Sequence, residues 1–199
     1  MSKLFLTLLA GALLSACGGG PRVSEPTRYD LGVPAGAAAT WRLHLGATDV
    51  QAASWLASTA MHYRLAYAEP LRRQSYGESR WVAPPAELLE SVLKRRQVAA
   101  ETNGPGCRLQ LVLDEFEQRF DTPQSSQVVL EARGVLLPAR GSDMLARRAF
   151  RIVKPARTAD ARGGAAAARE AAMALADELA AWSNELASAK AAVAERCRN

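Results

Sequence analysis

At 199 residues the chain is long enough to bury one real core and too short for several domains. Hydrophobic residues make up 49% but aromatics only 6%, and beyond the N-terminus no apolar run is long enough to span a membrane. The formal charge of +5 and the pI near 9.4 come from scattered basic residues (Arg72, Arg73; Arg95, Arg96; Arg147, Arg148), not from one stripe. That pattern argues against nucleic acid and fits a solvated basic surface, with weak attraction to anionic headgroups as the minor reading.

Residues 1–16 have the three parts of an export signal: Lys3, the apolar run Leu4 to Leu14, then small residues. Eleven apolar residues rise only about 16 Å as a helix, whereas a bilayer core of about 30 Å needs roughly 20. The run is therefore read as a cleaved signal rather than a span. Leu14-Ser15-Ala16-Cys17 is an aliphatic residue, two small residues and a cysteine, the pattern of a bacterial lipobox. A lipid-transferring enzyme needs the thiol exposed to phospholipid, and the peptidase needs small residues before it. The expected mature chain begins at an acylated Cys17, and several acyl chains are what stable anchoring requires. In enteric lipoproteins an aspartate after the cysteine favours inner-membrane retention, so Gly18, by resemblance to that sorting rule, leans toward the outer membrane. Residues 17–28 are rich in Gly, Pro and polar residues and read as a flexible tether. A single domain is expected over 29–199.

A short strand is expected near Tyr29-Asp30-Leu31, and a second over Trp41 to Leu45, continuing from Val50 toward Leu56. Thr59, Met61, Tyr63, Leu65 and Tyr67 alternate with polar and small residues, a strand signature. A polar linker follows, with Tyr76-Gly77-Glu78-Ser79 read as an exposed loop. Pro84 and Pro85 open a helix, with Glu87 in its first turn, Lys94, Arg95 and Arg96 in its last, and a stripe of Leu88, Leu89, Val92 and Leu93. Cys107, Leu109, Leu111 and Leu113 alternate, and the phase changes before Phe116, which predicts a bulge near Asp114-Glu115. Val128 to Leu137 is expected to pair back as a hairpin arm, and Leu145 to Val153 forms a further strand. Lys154 to Gly164 reads as a polar loop. Ala165 to about Leu186 is the longest helix, and its stripe of Ala172, Leu175, Leu179, Trp182 and Leu186 is read as packing on the sheet, with membrane insertion as the minor alternative. The order strands, helix, strands, helix predicts an α+β fold: a mostly antiparallel sheet with both main helices on one face.

Cys107 and Cys197 remain after the anchor. In an oxidising compartment the pair is read as a disulfide, the alternative being two free thiols. A loop of about 90 residues closed in this way is worth roughly 4 to 5 kcal/mol of chain entropy. The search for a catalytic site finds none. The only histidines, His44 and His62, fall on different strands. A paired site would need those strands to be neighbours, and two separate surface histidines is the simpler reading. There is no HExxH, no Cys/His cluster, no GxSxG elbow and no phosphate loop. No metal, cofactor or enzymatic role is expected. Asp114, Glu115 and Glu117 are read as alternating between strand faces and simply solvated.

The segments HYRLAYAEPLRRQSYGESRWVAPPAELLESVLKRR and CRLQLVLDEFEQRF resemble the ABC-type transport auxiliary lipoproteins. In that family an aromatic strand and polar linker lead to an Arg/Lys-Trp, a proline turn and an amphipathic helix. Tyr67, Arg80, Trp81, Pro84, Leu88, Leu89 and Leu93 match that pattern, and Glu115-Phe116 matches an acidic-Phe pair in the next strand. The resemblance implies a non-enzymatic part of an MCE/ABC-type phospholipid transport system. It would sit lipid-anchored on the periplasmic face of the outer membrane, with an MCE-domain protein as partner. A homo-oligomer is compatible with that role, and no nucleic acid enters it. An outer-membrane assembly lipoprotein serving a β-barrel or a lipopolysaccharide exporter is the alternative. Tyr67, Tyr76 and Trp81 are candidate partner contacts, although the stronger reading of Trp81 is a staple of the helix start to the sheet.

Overall fold

The computed structural model describes residues 25–34, 39–98, 105–189 and 191–197, so the signal and Cys17 lie outside the described residues. In chain order the elements are β1 (Thr27–Tyr29), β2 (Ala39–Thr40), β3 (Leu45–Ala52), a 3-10 turn (Ser54–Leu56), β4 (Ala60–Leu65), β5 (Arg73–Trp81), α1 (Pro85–Arg96), β6 (Gln97–Val98), β7 (Cys107–Thr122), β8 (Ser125–Leu137), β9 (Ala146–Pro155), α2 (Ala161–Ala189) and α3 (Ala191–Arg196). The fold is α+β. Seven strands form one sheet in the order β1-β5-β4-β7-β8-β9, with β3 also on β7, while β2 and β6 pair separately.

Strand β7 organises the sheet. One of its edges carries β8 along its whole length, antiparallel. The other carries two strands end to end, both parallel: β3 beside Cys107 to Leu113, and β4 beside Gln118 to Phe120. The break between them falls where the register against β8 shifts, between Leu113 and Glu115, at the expected bulge. The long antiparallel ladders of β7 with β8 and β8 with β9 make the sheet mostly antiparallel.

Both main helices lie on one face, α1 against β3 and α2 against β8 and β9, and they touch each other. Leu89, Val92 and Leu93 of α1, the inward leucines of β7, and Leu175, Leu179 and Leu186 of α2 belong to one hydrophobic cluster. Ala171, Ala172 and Ala176 are buried beside them, so α2 approaches the sheet through small side chains. Trp182 meets Phe150 edge-on at 5.8 Å above Gly134, where a methyl group would crowd both rings. Packing on the sheet is thus the role of the α2 stripe.

Three segments differ from expectation. Trp41 to Leu43 is a bend rather than a strand, although Trp41 and Leu43 are buried. Its polar backbone is satisfied by a side chain: Asn184 of α2 accepts from the Arg42 N–H at 2.8 Å and donates to the Thr40 carbonyl at 2.9 Å. The linker through Tyr76-Gly77-Glu78-Ser79 is strand β5, antiparallel to β4 and parallel to β1. Its polar composition hid it, because much of this edge region faces solvent. Finally, α2 starts four residues earlier than expected, at Ala161. Asp160 caps it, accepting from the Gly163 N–H at 2.7 Å and from the Thr158 hydroxyl at 2.8 Å. Gly163 is no helix breaker here, since a side chain would overlap the Thr158 carbonyl. The tether expectation also shortens, because Thr27 and Arg28 already pair with β5.

Candidate functional site

The helix-free face of the sheet holds the densest polar chemistry among the described residues. The bulge in β7 creates it. Leu113 and Phe116 both point into the core, so the extra residue leaves Asp114 and Glu115 together on the outer face, joined two residues later by Glu117. The three carboxylates therefore share one face instead of alternating, and each meets an arginine. Arg133 donates to both oxygens of Asp114, each at 2.7 Å. Arg73 donates to both oxygens of Glu115, at 2.8 and 2.7 Å. Arg64 Nε donates to Glu117 Oε1 at 2.7 Å. On the next strands Arg151 donates to Glu131 at 2.9 Å.

The middle of this array is partly withdrawn from water. The Glu117 side chain is only 5% exposed, and its Oε2 has no hydrogen-bond donor among the described residues, lying 4.0 Å from Arg73 Nη2. Its hydrogen bond raises the Arg64 pKa, with burial opposing and the charges of Glu117 and Glu115 adding. The cluster also gathers loops. Arg64 Nη1 donates to the Pro70 carbonyl at 3.0 Å, folding the β4–β5 hairpin tip toward the sheet. Arg73 lies 5.6 Å from the Trp55 ring centroid, and the Trp55 carbonyl sits 3.0 Å from His62 Nε2. Around this rim are exposed apolar side chains: Trp55, Tyr67 (48% exposed) and Leu71 (94%).

The three sequence-derived contact candidates separate. Tyr67 is exposed at the hairpin. Tyr76 is half-buried, 4.8 Å from the Tyr63 ring, and its hydroxyl donates to Gln118 Oε1 at 2.9 Å. Burial, aided by Tyr63 and Asp160, pushes that hydroxyl far above the usual phenol range. Trp81 is 4% exposed and packs 5.6 Å from Phe116, so in this conformation it ties the start of α1 to the sheet and presents no contact surface. Trp55 and Leu71 were not singled out from the sequence: Trp55 falls in the Val50 to Leu56 continuation and Leu71 in the polar linker.

The histidines do not meet. His62 lies beside the β7 stretch at Glu117, while His44 sits at the opposite end, its carbonyl accepting from the Cys107 N–H. About ten strand residues, roughly 33 Å, separate those points. Among the described residues no group of three or more His, Cys, Asp or Glu is placed to hold a metal. Cys107 and Cys197 are bonded, with Cα atoms 4.6 Å apart, and join the start of β7 to the end of the described chain.

Comparison with known proteins adds to this geometry. Residues 29–180 match the family described as ABC-type transport auxiliary lipoprotein component. A crystal structure of a Xanthomonas campestris protein of the DUF330 family superposes with a TM-score of 0.68 at 20% identity, covering 82% of this chain and 99% of that one. A second crystal structure, of an uncharacterized protein, gives a TM-score of 0.59 at 13% identity, covering 80% and 99%. At these identities the two structures share the fold. No curated protein matches the sequence.

Proposed function

The chain belongs to the ABC-type transport auxiliary lipoprotein family, and on that premise we propose that it is a non-enzymatic docking component of an MCE/ABC-type phospholipid transport system. The carrying observation is the family match over residues 29–180 behind an N-terminal lipobox ending at Cys17. In this reading the acylated Cys17 holds residues 29–199 on the periplasmic face of the outer membrane, and an MCE-domain protein is the partner. The role asks for a rigid body with an exposed contact patch. The shared core and the disulfide supply the first. Tyr67, Leu71 and Trp55, beside the arginine–carboxylate array, supply the second. Aromatic and arginine side chains of this kind dominate the binding energy of protein interfaces.

The test is purification of the full acylated protein from its native envelope, with and without Cys17→Ser. Recovery of an MCE-domain protein, together with sedimentation in the outer-membrane fraction that Cys17→Ser abolishes, is the expected result. Recovery of a β-barrel or of lipopolysaccharide-export proteins instead would replace this reading by an assembly role.

A further inference from the structure

The two ends of the sheet are unlike. One closes on β1, three residues long. The other is β9, ten residues long, all paired with β8 from Ala146 opposite Leu136 to Pro155 opposite Gln127. Strand β9 ends the strand order, so among the described residues its second edge has no partner. That edge offers roughly 33 Å of backbone N–H and C=O groups.

Its composition is one-sided. Arg147, Arg148, Arg151 and Lys154 lie within Ala146–Pro155, with no acidic residue among them. Arg148 and Arg151 form exposed pairs with Glu185 and Glu131, while Arg147 and Lys154 have no ion-pair partner among the described residues. This charge selects the occupant. If a second copy paired antiparallel about Arg151, Arg151 of each would face its own counterpart and Arg148 of each would face Lys154 of the other, and like charges directly opposite destabilise a strand pair. A strand carrying glutamate or aspartate meets the opposite condition, gaining the backbone ladder and charge complementarity together.

We propose that the free edge of β9 is a β-augmentation site for an acidic extended segment of another protein. The assignment does not depend on which transport system the protein serves, and it lies at the opposite end of the sheet from the β4–β5 hairpin contact.

The test is hydrogen–deuterium exchange on the full disulfide-bonded chain, read at the β9 amides. Three synthetic ten-residue peptides serve as probes: one alternating valine and glutamate, one alternating valine and lysine, and the glutamate peptide N-methylated at every residue, which leaves neither edge able to donate. The glutamate peptide is expected to slow exchange in β9, and the other two are not. Arg147→Glu with Lys154→Glu should weaken the protection about ten-fold or more. Arg147→Gln with Lys154→Gln should give an intermediate loss, and circular dichroism checks that both variants fold. Equal protection by the N-methylated peptide would reduce the site to surface charge and overturn the proposal. So would protection that rises with protein concentration alone, protection given by phosphatidylglycerol vesicles but not by the peptide, or no protection at all.

Discussion

Arg73 on β5 and Glu115 on β7 are joined by two parallel hydrogen bonds of 2.8 and 2.7 Å across the intervening strand β4. Two strand spacings are about 10 Å, a reach suited to a long arginine side chain, and the bulge places Glu115 to receive it. The pair fixes three strands and the Trp55 turn relative to one another on the face opposite α1 and α2.

The neighbouring pair of Arg64 and Glu117 is the most buried of the set, with side chains 18% and 5% exposed. Arg64→Ala should cost about 2–3 kcal/mol, because Glu117 would keep its charge with only the distant Arg73 for company. Arg64→Met combined with Glu117→Leu should cost less than Arg64→Ala alone, since neither charge is then stranded. Urea unfolding of the three proteins decides this. A double variant as costly as Arg64→Ala, or costlier, would show that a stranded Glu117 charge is not what the single variant suffers from.

The disulfide gives a second stability prediction. Cys107→Ser with Cys197→Ser should lower unfolding free energy by about 4 kcal/mol, from the loop of 90 residues that the bond closes. Both sulfur-bearing residues are fully buried, so some of the loss will come from packing. Thermal melts with and without reductant check it: reduced wild type should approach the double variant, whose own melt should not respond to reductant.

The cap of α2 has a pH signature. Hydrogen bonds from the Gly163 N–H and the Thr158 hydroxyl hold the Asp160 pKa below its ordinary 3.8. A lowered folded pKa means the contribution is present above the unfolded value near 3.8 and is lost as pH falls through the folded value. Asp160→Asn keeps a capping oxygen but not the charge. It should leave stability near pH 7 within a few tenths of a kcal/mol to about 1 kcal/mol and flatten the acid limb below pH 4. Denaturant melts from pH 2 to 7 measure this, and an unchanged acid slope would remove Asp160 from the account.

Period-two and helical patterns made the core elements legible: Cys107 to Leu113 of β7 alternate, and α1 and α2 each carry one apolar stripe, while β8 reads as the arm that pairs back on β7. The bulge near Asp114 was legible because it shifts that period. What lay beyond reach was set by distant partners. Trp41 to Leu43 looks like a strand because its burial alternates, yet Asn184, more than 140 residues on, supplies its hydrogen bonds. Strand β5 is polar on its exposed parts and is defined by pairing, not by composition. For the candidate site, the sequence singles out Tyr67 as a contact candidate, and the structure leaves it exposed at the hairpin. The arginine–carboxylate array was missed because the consequence of the bulge, three acids on one face, requires knowing that Phe116 returns to the core.

That last distinction between buried and exposed aromatics can be tested directly. Trp81 fills core beside Phe116, so Trp81→Ala should destabilise by about 3–5 kcal/mol. Any loss of partner binding in that variant should follow its loss of folded protein. Tyr67→Ala with Leu71→Ser removes two exposed side chains and should change unfolding free energy by no more than about 0.5 kcal/mol. If the β4–β5 hairpin docks the transport partner, that double variant should reduce co-purification ten-fold or more, on the order of 1.4 kcal/mol. Normal recovery of the partner by a folded Tyr67→Ala, Leu71→Ser protein would move the contact elsewhere on the surface.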